Sequence, residues 1–220
     1  IYCVPVNIHS PQWLWLSHEA YEKAGVAVPS NWDEFVASAP KLREAGIVPL
    51  AMGQQSWQTQ LAFDTMMVAV GGIDLYKSIL SDKDAKAAAS AEATAVFEAY
   101  AAARSLSEGS NVQDWNQATN MVITAKAGGQ IMGDWAQGEF QVANQVAGED
   151  YTCLPGLGVN EVIATGGDAF YFPKNDDPEI TAAQKRMASQ MISKEVQVAF
   201  NLKKGSLPIR GDVDLTAAND

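Results

Sequence analysis

Apolar and polar positions along the chain follow two spacings in turn, which predicts a succession of strands and helices. Residues 1–9 alternate with a period of two and contain one proline, so we expect a strand at a sheet edge or at a crossing. The segment IVPLAMG predicts a short buried strand, and GGQIMG predicts another. Strands that alternate with helical segments in this way predict an α/β fold.

Helical spacing covers most of the remaining chain. The clearest helix has Ser30 or Asn31 as its N-cap, acidic residues in its first turn, and Gly46 at its end. Lys203 and Lys204 followed by Gly205 predict the C-terminus of another helix. The other predicted helices cover 13–24, 57–70, 85–106, 116–126 and 136–146, and the helix that ends at Gly205 covers 179–202.

The pattern of the chain changes near residue 150. An alanine-rich helical block over about 10–150 lies between two strand-like segments, YCVPV and YTCLP. Strand-like sequence, a turn and the long helix at 179–202 follow it. The chain opens directly in strand sequence, from which we expect its start to be internal to a longer precursor that carries a signal peptide.

Composition excludes several classes of protein. Apolar residues make up 47% of the 220-residue chain and charged residues 19%, as in ordinary folded proteins rather than disordered ones. The net charge of −11, with fifteen scattered basic residues, argues against a nucleic-acid partner, which needs clustered Lys and Arg. No apolar run is long enough to predict insertion into a membrane.

The two cysteines, Cys3 and Cys153, occupy similar settings, YCVP and TCLP. They do not form a CxxC motif, so a zinc or thioredoxin-type site is not expected. Two interpretations stay open. The cysteines are buried as small hydrophobic residues, or they form a disulfide between neighbouring strands in an oxidising compartment.

Recognisable catalytic motifs are missing from the sequence, including the nucleophile elbow, the Walker A loop, the HExxH zinc motif and the dinucleotide-binding glycines. No metal or cofactor is predicted. Asp134 and Glu139 form a pair of carboxylates of the kind that glycosidases use. A glycoside-processing enzyme that uses Asp134, Glu139 or Asp168 therefore stays open as an alternative.

Aromatic and polar residues recur at the ends of predicted elements, next to Gly, Asn, Gln or Asp. The residues in such positions are His9, Trp57, Trp115, Trp135 and Asp168. A carbohydrate needs this mixture, because the C–H face of a pyranose packs on an indole while carboxylates and amides bind adjacent hydroxyls. Trp135, in IMGDWAQ, is therefore either a sugar platform or a core residue.

Several longer motifs resemble one family. The segment VPVNIHSPQWLWLSHEAYEKAGVAVPSNWDEF resembles the crossing strand and first helices of extracytoplasmic solute-binding proteins of sugar ABC transporters, solute-binding protein family 1. The motifs VNIH, DWNQAT, IMGDWAQGEF and GGDAF resemble its glucose/mannose-binding branch. Full-length members are longer, so the resemblance implies that the chain is a fragment.

The resemblance implies a periplasmic-binding-protein-like, two-lobed fold of type II, here one largely complete lobe and part of the other. The implied segments are a hinge-crossing strand at 1–9, a helix-rich α/β lobe at 10–150, a second hinge strand at 151–156, a returning segment of the N-terminal lobe at 157–206, and a truncated crossing at 207–220.

The resemblance also implies a function. The implied protein is a periplasmic receptor that is not an enzyme and needs no cofactor. It captures a monosaccharide, with glucose as the expected sugar, in an interlobe cleft and delivers it to a membrane permease. The implied sugar contacts are His9, Trp115, Trp135, Asp168 and Lys204, with Lys203 as the neighbouring alternative to Lys204. Without the resemblance, Lys204 would be predicted only as a helix-end cation. A truncated lobe that binds nothing is the remaining alternative.

Overall fold

The structure is a computed structural model that describes residues 3–160 and 162–216. Residues 1 and 2 of the predicted first crossing, and 217–220 of the predicted last one, lie outside the described residues. The chain divides into two compact units. The larger unit is Pro11–Ala164, and the smaller unit combines Ile1–Ser10 with Thr165–Asp220.

The larger unit is built around a four-stranded sheet with the order β3-β4-β2-β5. β2 pairs antiparallel with both β4 and β5, whereas β3 pairs parallel with β4. The strands are β2 (Trp13–Ser17), β3 (Val48–Ala51), β4 (Ala127–Met132) and β5 (Tyr151–Pro155). The helices are α1 (His18–Ala24), α2 (Trp32–Glu44), α3 (Ser56–Leu80), α4 (Ala85–Ala88), α5 (Ala91–Leu106), α6 (Trp115–Ile123) and α7 (Gln137–Val142).

Two hydrophobic clusters stabilise the larger unit, and β2 contributes to both because its side chains alternate between the two faces of the sheet. Leu14 and Leu16 are fully buried in the first cluster, with residues of α1, α2 and α3. Trp15 belongs to the second cluster, where its ring stacks on Phe140 at a centroid distance of 5.3 Å. The sheet thereby holds helices on both faces, as an α/β fold requires.

The prediction of a helix over 13–24 is wrong in its first half. Residues Trp13–Ser17 form β2, and the helix α1 begins only at His18, with Ser17 as N-cap. The run WLWLS is apolar at successive positions, and a buried strand and a buried helix have the same appearance over so short a run. Pairing with β4 and β5 on both sides decides in favour of the strand.

Five other predicted helices have different limits in the structure. The one over 85–106 is divided into α4 and α5, and those over 116–126 and 136–146 end at Ile123 and Val142. α3 extends to Leu80, ten residues beyond its predicted end, and contains a non-helical residue, Gly72, with φ 81°. The predicted helix at 179–202 is two helices, α8 (Pro178–Met191) and α9 (Lys194–Lys204). Ser193 separates them because its side chain accepts a hydrogen bond from the backbone N–H of Val196 and caps α9.

The smaller unit is held by a two-stranded antiparallel sheet of β1 (Cys3–Pro5) and β6 (Ala169–Tyr171). Isolated bridges continue this contact, joining His9 to Gly166 and Ile8 to Leu207. α9 lies against the first segment, since the side-chain amides of Gln197 and Asn201 both donate to the backbone oxygen of Val6. Residues 162–174 were predicted to form strands, but they form a strand only at β6.

The boundaries between the units fall at Ser10–Pro11 and at Ala164–Thr165. The sequence placed the second boundary earlier, with 151–156 as a hinge strand and 157–206 as a returning segment. β5 instead pairs with β2 along Trp13–Ser17, so it belongs to the sheet of the larger unit. A hinge role for the connecting residues stays a prediction.

Cys3 and Cys153 are both free cysteines. Cys3 lies on β1, which pairs with β6, and Cys153 lies on β5, which pairs with β2. The disulfide, one of the two open interpretations, is not formed. The alternative of two buried thiols is also wrong for Cys3, which is exposed. Burial raises the pKa of the Cys153 thiol.

None of the helices within 3–160 and 162–216 combines the length and the apolar character needed to cross a bilayer.

Candidate functional site

A carboxylate in the smaller unit, Asp168, is held by a paired set of hydrogen bonds. The side-chain amide of Asn7 donates from Nδ2 to Asp168 Oδ2 at 2.8 Å, and the backbone N–H of Asp168 donates to Asn7 Oδ1 at 2.6 Å. Two opposed bonds between the same pair of residues fix the direction of the carboxylate while leaving it accessible. Its side chain is 56% exposed.

The local backbone explains why these residues meet across such a separation in sequence. The β1–β6 pairing and the His9–Gly166 bridge place the VNIH segment opposite TGGDAF. Gly167 permits the close approach, because a Cβ atom on this residue would lie only 2.2 Å from the backbone oxygen of Asn7. Gly167 therefore serves this contact, whereas a Cβ atom on Gly166 would meet nothing within 4 Å.

His9 is buried beside the same carboxylate, at 6% exposure. Its Nε2 lies 3.4 Å from Asp168 Oδ2 and 3.1 Å from Asn7 Nδ2. The Nε2 atom accepts the amide hydrogen of Asn7 in one ring tautomer and donates to the Asp168 carboxylate in the other. Asn7 thus links His9 to Asp168.

Lys204 supplies a cation to this group from the last turn of α9. Its Nζ lies 4.0 Å from Asp168 Oδ2, and its side chain is 38% exposed. Gly205 adopts the left-handed conformation and so ends the helix directly after Lys204. Lys204, rather than its neighbour Lys203, is the lysine whose Nζ approaches Asp168.

Asp168 is poised as an ionised hydrogen-bond acceptor. Its pKa is lowered, principally by the hydrogen bond from Asn7 and further by the positive charge of Lys204 and by His9, against an opposing effect of burial. An ionised carboxylate accepts only, and it can receive two donors on separate oxygens. This group (Asn7, His9, Asp168 and Lys204) is hereafter the polar cluster.

Asn7 was not among the predicted site residues, although the VNIH motif contains it. Replacing Asn7 by Ala should raise the pKa of Asp168 toward that of an unpaired carboxyl, because the largest stabilising contact of the charged form is lost. A lowered pKa contributes stability above the unfolded value of about 3.9 and loses it as pH falls through the folded value. We therefore expect the unfolding free energy of Asn7→Ala to fall less steeply than that of the unchanged chain as pH drops below about 4.

Carbon-13 titration of the Asp168 carboxyl, together with urea unfolding between pH 2 and 7, measures both effects. An unchanged carboxyl titration in a folded Asn7→Ala chain would contradict the role given to Asn7. Asn175→Ala, an exposed asparagine of the same unit, is the matched control.

Aromatic residues form a second group, in the larger unit. Trp135 lies on a short 3-10 turn, Asp134–Ala136, which joins β4 to α7, and Gly133 rather than Asp134 is the N-cap of this turn. The indole of Trp135 lies over Gly133, where a Cβ atom would come within 2.2 Å of ring atom Cζ3. One part of the ring packs against the second hydrophobic cluster, and the residue stays partly exposed.

Trp57 extends this aromatic surface. Its ring centroid lies 6.4 Å from that of Trp135, with the two planes tilted by 51°, and the residue is 40% exposed. The indole Nε1–H donates to Gln55 Oε1 at 2.6 Å, while Gln55 Nε2 donates to Asp114 Oδ1 at 2.5 Å. These two hydrogen bonds fix the orientation of Trp57 through Gln55 and through Asp114, the residue that precedes α6.

Trp115 follows Asp114 directly, as the first residue of α6. Asp114 and Gln117 form a capping box at this helix start. The backbone oxygen of Trp115 accepts from Gln130 Nε2 at 3.0 Å, which ties the helix start to β4. Trp115 is partly buried against the second hydrophobic cluster, the cluster that also contacts Trp135.

Each of the two groups carries part of the chemistry that carbohydrate binding requires. The larger unit presents partly exposed indoles, and the smaller unit presents an ionised carboxylate with an imidazole and a lysine beside it. Within the described ranges, no three His, Cys, Asp or Glu side chains converge as a metal site would need. His9, Asp168 and Lys204 lie together in the smaller unit, while Trp115 and Trp135 lie in the larger one.

Comparison with known proteins identifies the family. The model of the bacterial extracellular solute-binding protein family matches residues 2–187. The chain belongs to this family. A probable sugar-binding periplasmic protein of Brucella suis is 40% identical over 97% of the chain, and one of Rhizobium meliloti is 39% identical over 95%. A xylose/arabinose-binding protein of Haloferax volcanii is 24% identical over 99% of the chain.

Solved structures confirm the fold of this family member. A chitin oligosaccharide binding protein superposes on the chain with a TM-score of 0.79, at 21% identity. The superposition covers 99% of the chain and 56% of that protein. The solute receptor AcbH, described as preferring β-D-galactopyranose, superposes with a TM-score of 0.75 at 20% identity. The superposition covers the whole chain and 56% of the AcbH chain. The predicted α/β, periplasmic-binding-protein-like fold is therefore confirmed.

The chain spans about half the length of the curated relatives that it matches. The Brucella suis and Rhizobium meliloti proteins are each covered to 50%. For this reason, the ligand and the partners of the whole protein are proposals, and they rest on the site residues of this chain.

Proposed function

We propose that this chain is part of the sugar-binding receptor of an ABC-type sugar importer. The receptor would work outside the cytoplasm, in the periplasm, and would deliver its ligand to a membrane permease. Family membership and relatives that are named sugar-binding periplasmic proteins support this role. The proposed sugar contacts are His9, Trp115, Trp135, Asp168 and Lys204.

The observation that carries the proposal is the state of Asp168. Its carboxylate is ionised, half-exposed and oriented by Asn7, with Lys204 at 4.0 Å from the same oxygen. Such a group accepts hydrogen bonds from two adjacent sugar hydroxyls, while the lysine donates to a third. We propose a glucose-like monosaccharide ring as the ligand of this cluster, on the motifs that resemble the glucose/mannose branch.

The polar cluster also favours binding over glycoside hydrolysis. A glycosidase needs one carboxyl group with a raised pKa, so that it can protonate the leaving oxygen at neutral pH. The pKa of Asp168 is lowered instead, and a carboxylate of this kind holds hydroxyls without giving up a proton. We therefore expect no turnover of glycosides.

Calorimetric titration of the chain with glucose tests the proposal, with galactose as the epimeric comparison. We expect saturable heat with glucose and no product release from a chromogenic glucoside. Heat that is absent from a chain shown to be folded by circular dichroism would overturn the proposal and leave a lobe that binds nothing. Product formation abolished by changing Asp134 or Glu139 to the amide would instead establish the enzyme alternative.

A further inference from the structure

The buried face of α9 is polar, which is the reverse of the usual arrangement in a helix that packs on its neighbours. Gln197 and Asn201 are the buried residues of this helix, each only 1% exposed, whereas Phe200 is 37% exposed. Lys204 follows on the same face, because residues three and four positions apart are neighbours on a helix. A buried amide is costly unless its hydrogen bonds are made, so the partners of these amides show what the face does.

Both amides bind one backbone carbonyl. Gln197 Nε2 and Asn201 Nδ2 each donate to the backbone oxygen of Val6 at 3.1 Å. Val6 is 3% exposed, and its own N–H donates to the backbone oxygen of Asp168 at 2.9 Å. The next residue is Asn7, whose side chain orients the Asp168 carboxylate. The backbone of Val6 thus joins α9 to the segment of Asp168.

Asn201 also closes the turn that carries Lys204. Its side-chain Oδ1 accepts a hydrogen bond from Ser206 Oγ at 2.6 Å. Its backbone oxygen accepts from the N–H groups of Gly205 and Ser206 at 3.0 and 3.2 Å. The Nζ of Lys204 lies 4.0 Å from Asp168 Oδ2. Asn201 therefore contacts both the segment that orients Asp168 and the turn from which Lys204 approaches it.

Gln197 shares the bond to Val6 but differs in its other partners. Its Nε2 also donates to the backbone oxygen of Met191, the last residue of α8, at 2.8 Å. Its Oε1 accepts from the backbone N–H of Ile209 at 2.9 Å. Gln197 lies about two helical turns before Lys204. It therefore ties α9 to α8 and to the segment after the helix, and it has no part in closing the turn of Lys204.

We propose that Asn201 is a positioning residue of the polar cluster, which holds the turn of Lys204 against the segment that orients Asp168 and so sets the separation of ammonium and carboxylate. Both amide hydrogens and the oxygen of its side chain are bonded within the protein, so Asn201 acts through these two residues rather than on a ligand. The inference rests on the proposed function, because Asp168 and Lys204 are proposed sugar contacts.

The test asks whether the charge of Lys204 still acts on Asp168 when Asn201 is changed, and it needs no sugar. Lys204→Met should raise the pKa of the Asp168 carboxyl in the unchanged chain, measured by carbon-13 titration. Asn201→Leu keeps the volume of the side chain without its hydrogen bonds. In this background we expect Lys204→Met to produce at most about half of the rise, because the interaction of two charges weakens with their separation.

Two variants serve as matched controls. Gln197→Met also loses a bond to Val6, but the full rise on Lys204→Met should persist in it. Lys203→Met removes the adjacent charge and should leave the Asp168 titration as it is. Equal rises in the unchanged, Gln197→Met and Asn201→Leu chains would overturn the inference and make Asn201 a purely structural residue.

Ser206→Ala keeps the inference testable if Asn201→Leu does not fold. It removes only the hydroxyl that donates to Asn201 Oδ1 and so loosens the same turn. The rise on Lys204→Met should be smaller in Ser206→Ala than in the unchanged chain. An undiminished rise in this variant would contradict the role given to Asn201.

Calorimetric titration with glucose separates this inference from the proposed function. We expect losses of about fivefold for Asn201→Leu and about tenfold for Lys204→Met, with the double variant no weaker than Lys204→Met alone. Losses that multiply in the double variant would show that Asn201 does not act through Lys204 and would overturn the inference. If the unchanged chain binds no glucose, the proposed function is overturned, while the carboxyl titration still decides the role of Asn201.

Discussion

Asp168→Asn is expected to weaken glucose binding by about a hundredfold. A hydrogen bond to a charged acceptor contributes roughly 1.5–3 kcal/mol, and each 1.4 kcal/mol or so is a factor of about ten in affinity. The amide keeps the size of the carboxylate but presents one acceptor oxygen instead of two, and its NH₂ group faces the ammonium of Lys204. Calorimetric titration of the two chains side by side gives the ratio.

The matched control is Asp176→Asn, which makes the same chemical change at an exposed position of the same unit. Its affinity for glucose should equal that of the unchanged chain. Because the pKa of Asp168 is lowered, binding should also stay constant as pH falls to about 4 and weaken only below it. Equal affinities of the Asp168 and Asp176 variants would remove Asp168 from the site.

Trp135→Ala is expected to weaken binding by at least about tenfold. Covering about 100 Å² of apolar indole surface contributes about 2.5 kcal/mol, at roughly 25 cal/mol per Å². Trp135→Phe keeps a smaller flat ring and should lose less. Titration of both variants with glucose, on samples whose urea unfolding has been measured, separates the loss of contact from the loss of folded protein.

Two further variants sharpen the interpretation of Trp135. Gly133→Ala keeps the indole but places a methyl group where the ring lies, so the ring must move and binding should fall. Val142→Ala truncates a side chain of α7 that is 82% exposed and should change nothing. A Trp135→Ala chain with undiminished affinity would make this tryptophan a core residue, as its contacts with the second hydrophobic cluster also permit.

Helix ends were predicted well where a capping residue marks them, because such signals are local. Asn31 caps α2 through its side chain, and Gly205 ends α9 in the left-handed conformation, both as predicted. β2 was missed because an apolar run of five residues carries no period of its own. The break before α9 was missed although its capping residue, Ser193, stands in the sequence.

The site residues were predictable only where a motif marked them. Trp57 and Trp135 stood out as aromatic residues at element ends, and both are partly exposed. Asn7 carried no signal, because its importance lies in two hydrogen bonds to a residue 161 positions away. Asn201 looked like an ordinary helix residue, and only its burial against the first segment connects it to the polar cluster.

The smaller unit is made of two segments, with all of Pro11–Ala164 inserted between them. Its pairing of β1 with β6 is therefore a contact of high sequence separation, whose loop-closure entropy opposes early formation. The larger unit is continuous and can fold as soon as its last strand has been synthesised. During synthesis, Asn7 and His9 would leave the ribosome long before Asp168, so the polar cluster can assemble only after the whole of Pro11–Ala164 has been made.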